Sequence, residues 1–366
     1  MALESPFDRP MRAERRRAAR PARGAPASPQ PAAAGAPFFI VGCHRSGTTL
    51  LQALLDAHPR LCVPPESHVF NRFGPLVPLY GDLEQPGNLR RLVKDLLRDA
   101  RIQRWGLEEI SAAQFCSEMT EHTVRGVVTH LFARYAAMEG KPRWGDKTPA
   151  HAFHIPDILA VFPEAKIIHL LRDGRDVAES LLRMFFGPNR IDGAAHAWSA
   201  YVLAAREGAR RLPPGQFLEV RYEDLVAAPQ AALARILAFL GEAEGPVIGG
   251  AVPASSLTRR HLTFGKHFSG LADPISSARV GAFRTKLTGR QVAIFESIAG
   301  ELLTACGYPR VTAGQTELTF SERVTFSVTD RWLRYWRKLR EPHFLKIEVQ
   351  GRVRRLTLSV RKARLS

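Results

Sequence analysis

The chain has 366 residues, of which 45% are hydrophobic, and a formal net charge of +17. This size and apolar content predict one large α/β domain with extensions. No run of about 18 apolar residues is present, and the first residues do not follow the order of a secretory signal. The four cysteines lie far apart and predict neither a metal site nor a redox motif. We therefore expect a cytoplasmic protein without a transmembrane segment or a bound metal.

The positive charge is concentrated at the two ends. Residues 1–37 carry +4 and residues 331–366 carry +10, which leaves +3 for the middle. Residues 1–36 are rich in Ala, Pro and Arg without a hydrophobic period, and we predict a disordered tail. The domain is expected over 37–310, and 311–366 form a basic extension suited to oligomerisation or to contact with anionic surfaces. A solvated basic surface is the simpler interpretation of both ends.

The first motif of the domain is a strand, a loop and a helix. Phe38–Val41 is a short apolar run typical of a buried parallel strand. The chain then turns between Gly42 and Gly47 and continues from Thr48 with leucines at helical spacing. This arrangement directs free backbone N–H groups and the positive end of the helix dipole at one point, where an anion can bind.

The cation of this loop is an arginine. The Gly42 to Gly47 spacing is that of a nucleotide P-loop, which would continue with Lys and then Ser or Thr. Here Gly47 is followed by Thr48 and Thr49, and Arg45 comes earlier in the loop. The residues favour an anionic ligand held by hydroxyl donors and an arginine fork. A P-loop-type kinase acting on a small molecule and a non-catalytic nucleotide- or anionic-surface-binding protein stay open as alternatives.

A second strand, turn and helix occurs later in the chain. The apolar run 166–171 leads directly into Arg172, and Ser180 follows about two helical turns later. Arginine is suited to phosphate because its planar fork binds bidentately. Alone, this Arg-Asp-Gly-Arg turn would be a salt-bridged turn. Together with the first loop it indicates a second phosphate site.

An acid-base candidate follows the short predicted strand 60–63. Glu66 lies beyond the carboxyl end of that strand, on the sheet edge where ligands of open α/β sheets bind. A carboxylate there is able to take a proton from an attacking hydroxyl. From the residues alone, a surface glutamate or a helix-capping acid is the simpler interpretation, and the nearby His68 is a rival base.

The sequence Arg45-Ser-Gly-Thr-Thr49, with Leu54-Leu-Asp-Ala-His-Pro59 after it, resembles the 5′-phosphosulfate loop of sulfotransferases that use 3′-phosphoadenosine 5′-phosphosulfate (PAPS). The resemblance is to the tyrosylprotein-type and related bacterial branch, and Arg172 with Ser180 resembles its 3′-phosphate element. It implies a P-loop-containing, three-layer α/β fold with a central parallel sheet and helical insertions. It also implies sulfuryl transfer from PAPS to a hydroxyl or phenol, with 3′,5′-ADP as product.

The resemblance also implies roles for single residues. Glu66 matches the catalytic base, and Lys147, in Asp146-Lys-Thr-Pro149, matches the lysine that touches the sulfuryl group and the bridging oxygen. Tyr222 matches a tyrosine near the adenine, although packing beneath the sheet edge explains it equally well. Arg279 is transferred from a loosely aligned lid segment. The nucleotide contacts implied are Arg45, Ser46, Gly47, Thr48, Thr49, Arg172, Ser180, Tyr222 and Arg279.

One departure and one open question follow. Some relatives carry a further arginine twelve residues after the first, where this chain has Met184, although Arg183 is adjacent. The acceptor is not identified: a small molecule, a glycan, a lipid and a protein tyrosine all remain open.

Hydrophobic periodicity predicts the remaining elements of the chain. It predicts helices over 89–97, 117–138, 192–211 and 290–305, strands over 217–220, 317–328 and 346–360, and a core position for His169.

Overall fold

Five parallel strands form the centre of the molecule. A computed structural model describes residues 35–243, 245, 274–312 and 353–359. The strands are β1 (Phe38–Gly42), β2 (Leu61–Cys62), β3 (Arg143–Lys147), β4 (Lys166–Leu171) and β5 (Phe217–Arg221). Their order in the sheet is β2-β3-β1-β4-β5. Ile40 of β1 pairs with Lys147 on one side and with Ile168 on the other, so the carboxyl ends of the three central strands meet at one edge.

Helices connect and cover the strands. After β1 come α1 (Thr48–Asp56) and, beyond β2, α2 (Val77–Tyr80), α3 (Pro86–Leu97), α4 (Ala100–Gln103), α5 (Ala112–Glu118) and α6 (Val124–Met138). The later helices are α7 (Ile155–Val161), α8 (Gly174–Leu182), α9 (Ile191–Ala209), α10 (Tyr222–Ala227), α11 (Pro229–Leu240), α12 (Phe283–Lys286) and α13 (Gly289–Ala305). Short 3-10 turns cover Gly74–Leu76, Pro149–His154 and Ser277–Arg279, and a π-helical turn covers Val69–Phe73.

The side chains of β1 alternate between the two faces of the sheet. Phe38 and Ile40 pack with leucines of α1 and α11, whereas Phe39 and Val41 pack with α6 and α7. All four are fully buried, as expected of a parallel strand covered on both faces. The predicted three-layer α/β architecture with a central parallel sheet is therefore confirmed. Among the described residues, no helix has both the length and the apolar character needed to cross a bilayer.

Strand β3 was not predicted. No strand is predicted around Lys147 from the sequence, yet Arg143–Lys147 is a strand in which every residue is buried. The polar composition of β3 gives no apolar pattern from which a strand is predicted. Its charges are buried because they are neutralised by partners distant in sequence. Arg143 pairs with Glu242 at 2.9 Å and Lys147 with Glu66 at 2.6 Å.

Two other predicted elements differ from the structure. The helix expected over 117–138 is interrupted, because the chain is extended at Met119 and restarts where the Thr123 side chain accepts a hydrogen bond from Gly126 N. The prediction of a strand over 346–360 is wrong for residues 353–359, which are helical. Arg354 and Leu358, four residues apart, both face the domain: one stacks on Phe73 and the other is buried. Residues 1–34 and the strand expected over 317–328 lie outside the described residues.

Candidate functional site

The loop between β1 and α1, residues 42–47, has a conformation that few residues adopt. Arg45 has φ 70° and Gly47 φ 95°, both in the left-handed region. A Cβ at Gly47 would lie 2.5 Å from the ring of Tyr222, so only glycine fits there. The amino end of α1 has no side-chain cap and no acid in its first turn. Its N–H groups are thus suited to an external anion.

Direct hydrogen bonds join this loop to the second predicted phosphate element. Arg45 Nε donates to Ser180 Oγ at 3.0 Å, and Arg172 Nη1 donates to the Arg45 carbonyl at 3.1 Å. Ser180 lies on α8, which follows β4, the neighbour of β1 in the sheet. The two arginine-bearing turns are therefore side by side at the same edge of the sheet.

Arg172 is held in place on several sides. Trp198 Nε1 donates to its carbonyl at 3.0 Å, and its guanidinium stacks on Tyr222 at 4.3 Å from the ring centroid. Its Nη2 donates to the Arg279 carbonyl at 2.6 Å. Its Nε is buried without a hydrogen-bond partner within the described part of the chain. A buried orphan N–H on a fixed guanidinium is a donor suited to an additional anionic ligand.

The charges around Arg45 and Arg172 also favour an anionic ligand. Burial lowers the pKa of Arg45, and repulsion from Arg279, Arg172 and Arg183 lowers it further. Arg183 is paired with Glu179. Clustering of arginine charges costs free energy unless an anion offsets it. The region is therefore built to receive negative charge.

The predicted base and the predicted lysine are in contact. Lys147 Nζ lies 2.6 Å from Glu66 Oε1 and 3.4 Å from Thr49 Oγ1, and Glu66 Oε2 lies 3.1 Å from His68 Nε2. Burial would raise the pKa of Glu66, but the Lys147 ammonium and the hydrogen bond with His68 outweigh it and hold the pKa well below its usual value. Thr49 belongs to the first turn of α1, so this pair adjoins the arginine cluster.

A buried carboxylate that the sequence analysis did not assign supports the Glu66 loop. Asp146, only 1% exposed, accepts hydrogen bonds from Ser67 Oγ at 2.6 Å and Thr148 Oγ1 at 3.0 Å. His151 Nδ1 lies 3.1 Å from the same carboxylate, and His151 Nε2 accepts from Phe70 N. Burial alone would raise the pKa of Asp146, but these partners lower it. Asp146 therefore connects the end of β3 with the chain on both sides of His68, directly through Ser67 and indirectly through His151 and Phe70.

His68 has φ 54° and is, with Arg45, one of two non-glycine residues with positive φ in the described ranges. Such a conformation costs of order 1 kcal/mol and persists only where the surroundings enforce it. Both residues belong to the candidate site: Arg45 lies in the arginine cluster, and His68 lies beside Glu66. The strained backbone therefore occurs in the two loops that contain the predicted phosphate-binding residues and the predicted base.

The other predicted residues occupy different positions around this centre. Ser46 and Thr48 are buried in the loop, and Tyr222 packs beneath it instead of facing open solvent. Arg279 contacts Arg172 through its carbonyl. Arg175 of the Arg-Asp-Gly-Arg turn is structural, since its guanidinium binds Asp173 and Glu296 at 2.6 Å each. The nucleotide contacts assigned to Ser46, Thr48, Tyr222 and Arg279 stay predictions.

Comparison with known proteins gives the family. The model described as "Sulfotransferase family" matches residues 37–244. A putative protein-tyrosine sulfotransferase of Caenorhabditis briggsae is 28% identical over 211 residues, which cover 56% of this chain and 64% of the relative. The protein-tyrosine sulfotransferase of Drosophila melanogaster is 28% identical over 212 residues, 56% of this chain and 37% of the relative. Nodulation protein NoeE of Sinorhizobium fredii is 26% identical over 326 residues, 81% and 71% respectively.

Among solved structures, a sulfotransferase domain from the curacin biosynthetic pathway has a TM-score of 0.48 and 22% identity, and covers 75% of this chain and 98% of that domain. The chain spans less than two thirds of the length of either protein-tyrosine sulfotransferase named above. The family match nevertheless covers more than half of the chain and contains the Arg45 loop, Glu66, Lys147 and the Arg172 turn. The chain belongs to the sulfotransferase family.

Proposed function

We propose that this protein transfers the sulfuryl group of PAPS to a hydroxyl or phenol and releases 3′,5′-ADP. The observation that carries the proposal is the hydrogen bond between Arg45 and Ser180, which brings the two predicted phosphate elements together. PAPS has phosphates at both its 5′ and 3′ ends, and one such molecule needs two adjacent anion sites. The uncapped amino end of α1 is suited to the 5′-phosphosulfate, and Arg172 with its orphan Nε to the 3′-phosphate.

Glu66 would act as the base. In the transfer, the acceptor oxygen forms a bond to sulfur while the bond between sulfur and the bridging phosphate oxygen breaks. The electron pair of that bond leaves with the 5′-phosphate, and Glu66 takes the hydroxyl proton. Lys147, fully buried at the end of β3, would offset the charge on the leaving oxygen. As in phosphoryl transfer, the protein mainly aligns the reactants and neutralises charge.

The ion pair between Lys147 and Glu66 implies a change on donor binding. While paired, Glu66 is a weak base, because its pKa is held well below its usual value. A donor phosphosulfate next to Thr49 would compete for the Lys147 ammonium, whose Nζ already lies 3.4 Å from the Thr49 hydroxyl. Loss of that partner raises the pKa of Glu66 and makes it a better proton acceptor. Donor binding would thus activate the base.

His68 is the rival base. Its Nε2 is hydrogen-bonded to Glu66 and its Nδ1 lies 3.2 Å from the Asn71 side-chain nitrogen, so both ring nitrogens already have partners. This arrangement favours an orienting role for His68. Glu66, whose side chain is 30% exposed, is accessible to an acceptor. Comparing Glu66→Gln with His68→Ala in sulfuryl transfer tests the assignment.

Nucleotide binding tests the proposal as a whole. Isothermal titration of the full chain with 3′,5′-ADP and with ATP is expected to give binding of 3′,5′-ADP and markedly weaker binding of ATP, which lacks the 3′-phosphate. A P-loop-type kinase would show the opposite order. Failure of 3′,5′-ADP to bind would overturn the proposed transfer from PAPS. The acceptor class is then found by incubating PAPS with candidate alcohols, phenols, glycans and tyrosine peptides.

A further inference from the structure

Next to the proposed base lies a continuous row of aromatic rings, formed by Phe153, Tyr201, His44 and Phe186. The ring centroids of Phe153 and Tyr201 are 4.6 Å apart, those of Tyr201 and His44 5.5 Å, and those of His44 and Phe186 5.7 Å. Each contact is edge-to-face, a favourable geometry for aromatic pairs. These four residues, here called the ring row, come from four different segments of the chain.

Both ends of the ring row face solvent. Phe153 is 44% exposed and Phe186 is 39% exposed, and the two residues between them are half-buried. Single exposed apolar residues are common on protein surfaces. Here, however, two exposed rings are joined by two half-buried ones beside the candidate site, and such a partly exposed aromatic surface is suited to a ligand.

The ring row adjoins the proposed reaction centre. His44 precedes Arg45 in the loop that we assign to the donor, and Phe153 follows Lys147 by six residues on the turn after β3. The charge of Glu66 reaches two of the rings: burial lowers the pKa of His44 to about 4 against an opposing effect of Glu66, and burial and Glu66 contribute to a raised pKa of Tyr201. The ring row therefore begins in the donor loop, through His44, and lies on the same side of the site as Glu66.

The positive charge of Arg45, which follows His44 in the chain, belongs to the proposed donor site, whereas the charges next to Glu66 are largely paired. Glu66 and Lys147 neutralise each other at 2.6 Å. Arg101, which also feels the charge of Glu66, is only 12% exposed and lies 3.7 Å from Asp99. His44 stays neutral at physiological pH because of its lowered pKa.

We propose that the ring row binds the acceptor, and that the acceptor carries its hydroxyl on an uncharged aromatic or apolar body, as a substituted phenol does. The inference rests on the proposed function and specifies its second substrate. The acceptor body would pack on Phe153, Tyr201 and Phe186 while its hydroxyl points to Glu66. An acidic tyrosine peptide is the competing class, and the experiment below separates the two.

The test uses the full chain, PAPS and two acceptors: 2-naphthol, and a peptide whose single tyrosine is flanked by glutamates. Formation of 3′,5′-ADP is measured for the wild type and for the double variant Phe153→Ala/Phe186→Ala. The wild type is expected to prefer 2-naphthol, and the double variant to lose about 10- to 100-fold in kcat/KM for it, mainly through KM. Met138→Ala, which truncates a 40% exposed side chain at the end of α6, is the matched control and should leave kcat/KM unchanged.

Two binding measurements separate the possible failures. Affinity for 3′,5′-ADP should be equal in the wild type and the double variant, because the ring contacts of the two phenylalanines in the described residues are with other aromatic rings. Binding of 2-naphthol in the presence of 3′,5′-ADP, followed by its fluorescence, should weaken in the double variant. Normal 3′,5′-ADP binding together with a preference for the acidic peptide, or with equal naphthol binding by both proteins, would overturn this inference alone. A wild type that does not bind 3′,5′-ADP would overturn the proposed function and this inference with it.

Discussion

Arg45 Nε donates a hydrogen bond of 3.0 Å to Ser180 Oγ, across 135 positions of sequence. The bond connects the loop after β1 with the helix after β4, the two elements in which the sequence predicts phosphate contacts. Adjacent parallel strands make this contact possible, since β1 is paired with β4 along its whole length. A single ligand with two phosphates is able to bridge the two elements.

Removing either arginine should weaken nucleotide binding. Arg172→Ala deletes an orphan buried N–H and a charged fork, and Arg45→Ala deletes the link to Ser180. Each lost charged hydrogen bond is worth about 1.5–3 kcal/mol, so we expect the Kd for 3′,5′-ADP to rise about 10- to 150-fold. Isothermal titration calorimetry measures this. The control is Arg210→Ala, whose side chain is 79% exposed; equal affinity in all three variants would contradict the predicted site.

Glu66→Gln should stop chemistry without stopping nucleotide binding. The amide cannot take the hydroxyl proton, and loss of general base catalysis lowers kcat by about 10²- to 10⁴-fold. The Kd for 3′,5′-ADP should not rise, because Glu66 lies outside the arginine cluster and its removal leaves the Lys147 ammonium free for the nucleotide phosphate. Steady-state kinetics with any accepted phenol checks the expectation. His68→Ala provides the comparison: a larger loss of kcat in that variant would transfer the role of base to His68.

The ion pair between Glu66 and Lys147 predicts that the stability of the protein depends on pH. The pKa of Glu66 in the folded protein lies well below its ordinary value of 4.5, so folding favours the carboxylate. The stabilisation is therefore fully present above about pH 4.5 and is lost as the pH falls through the lowered value. We expect the wild type to exceed Glu66→Gln in free energy of unfolding by about 2 kcal/mol at pH 7, less than for a fully buried pair, because the Glu66 side chain is 30% exposed.

Urea titrations of both proteins at pH 7 and at successively lower pH values measure this difference. It should shrink only on the acid side. A difference that stays constant down to pH 3 would show that the carboxylate contributes nothing specific to the stability of the fold.

Asp146 should be required for the position of the base. Asp146→Ala leaves the hydroxyls of Ser67 and Thr148 without their acceptor, and removes the anion beside His151. We expect a loss of about 3 kcal/mol in the free energy of unfolding, together with a fall in kcat and an unchanged Kd for 3′,5′-ADP. Ser67→Ala, which removes one branch of the network, should cost about 1 kcal/mol. Full kcat in a folded Asp146→Ala protein would refute the positioning role.

Gly47→Ala should disturb the loop directly. The added Cβ would meet the Tyr222 ring at 2.5 Å, and the φ of 95° is unfavourable for alanine. A loss of about 1–3 kcal/mol in stability and weaker 3′,5′-ADP binding are expected. The matched control is Gly289→Ala at the start of α13, where an added Cβ meets nothing within 4 Å. That change should be neutral or stabilising by a few tenths of a kcal/mol; equal thermal shifts in both variants would contradict the steric explanation.

Local sequence pattern was sufficient to predict the strands β1 and β4, the helices after them and the chemistry of their turns. Apolar runs of four to six residues followed by glycine or arginine have few other interpretations, because a continuous apolar run needs burial on both faces. Thus Arg45, Glu66 and Arg172 were identified as candidates from local pattern and family resemblance. Their proximity could not be read from that pattern, since it follows from the strand order.

Only the tertiary structure revealed β3, the Asp146 network and the ring row. The residues of β3 are polar, and their burial depends on counter-charges far away in sequence, such as Glu66 and Glu242. Local hydrophobicity carries no signal for such a strand, because the free energy that permits it comes from long-range ion pairs and hydrogen bonds. The ring row likewise combines residues from four segments, and the packing of these segments, not their individual sequences, creates the surface.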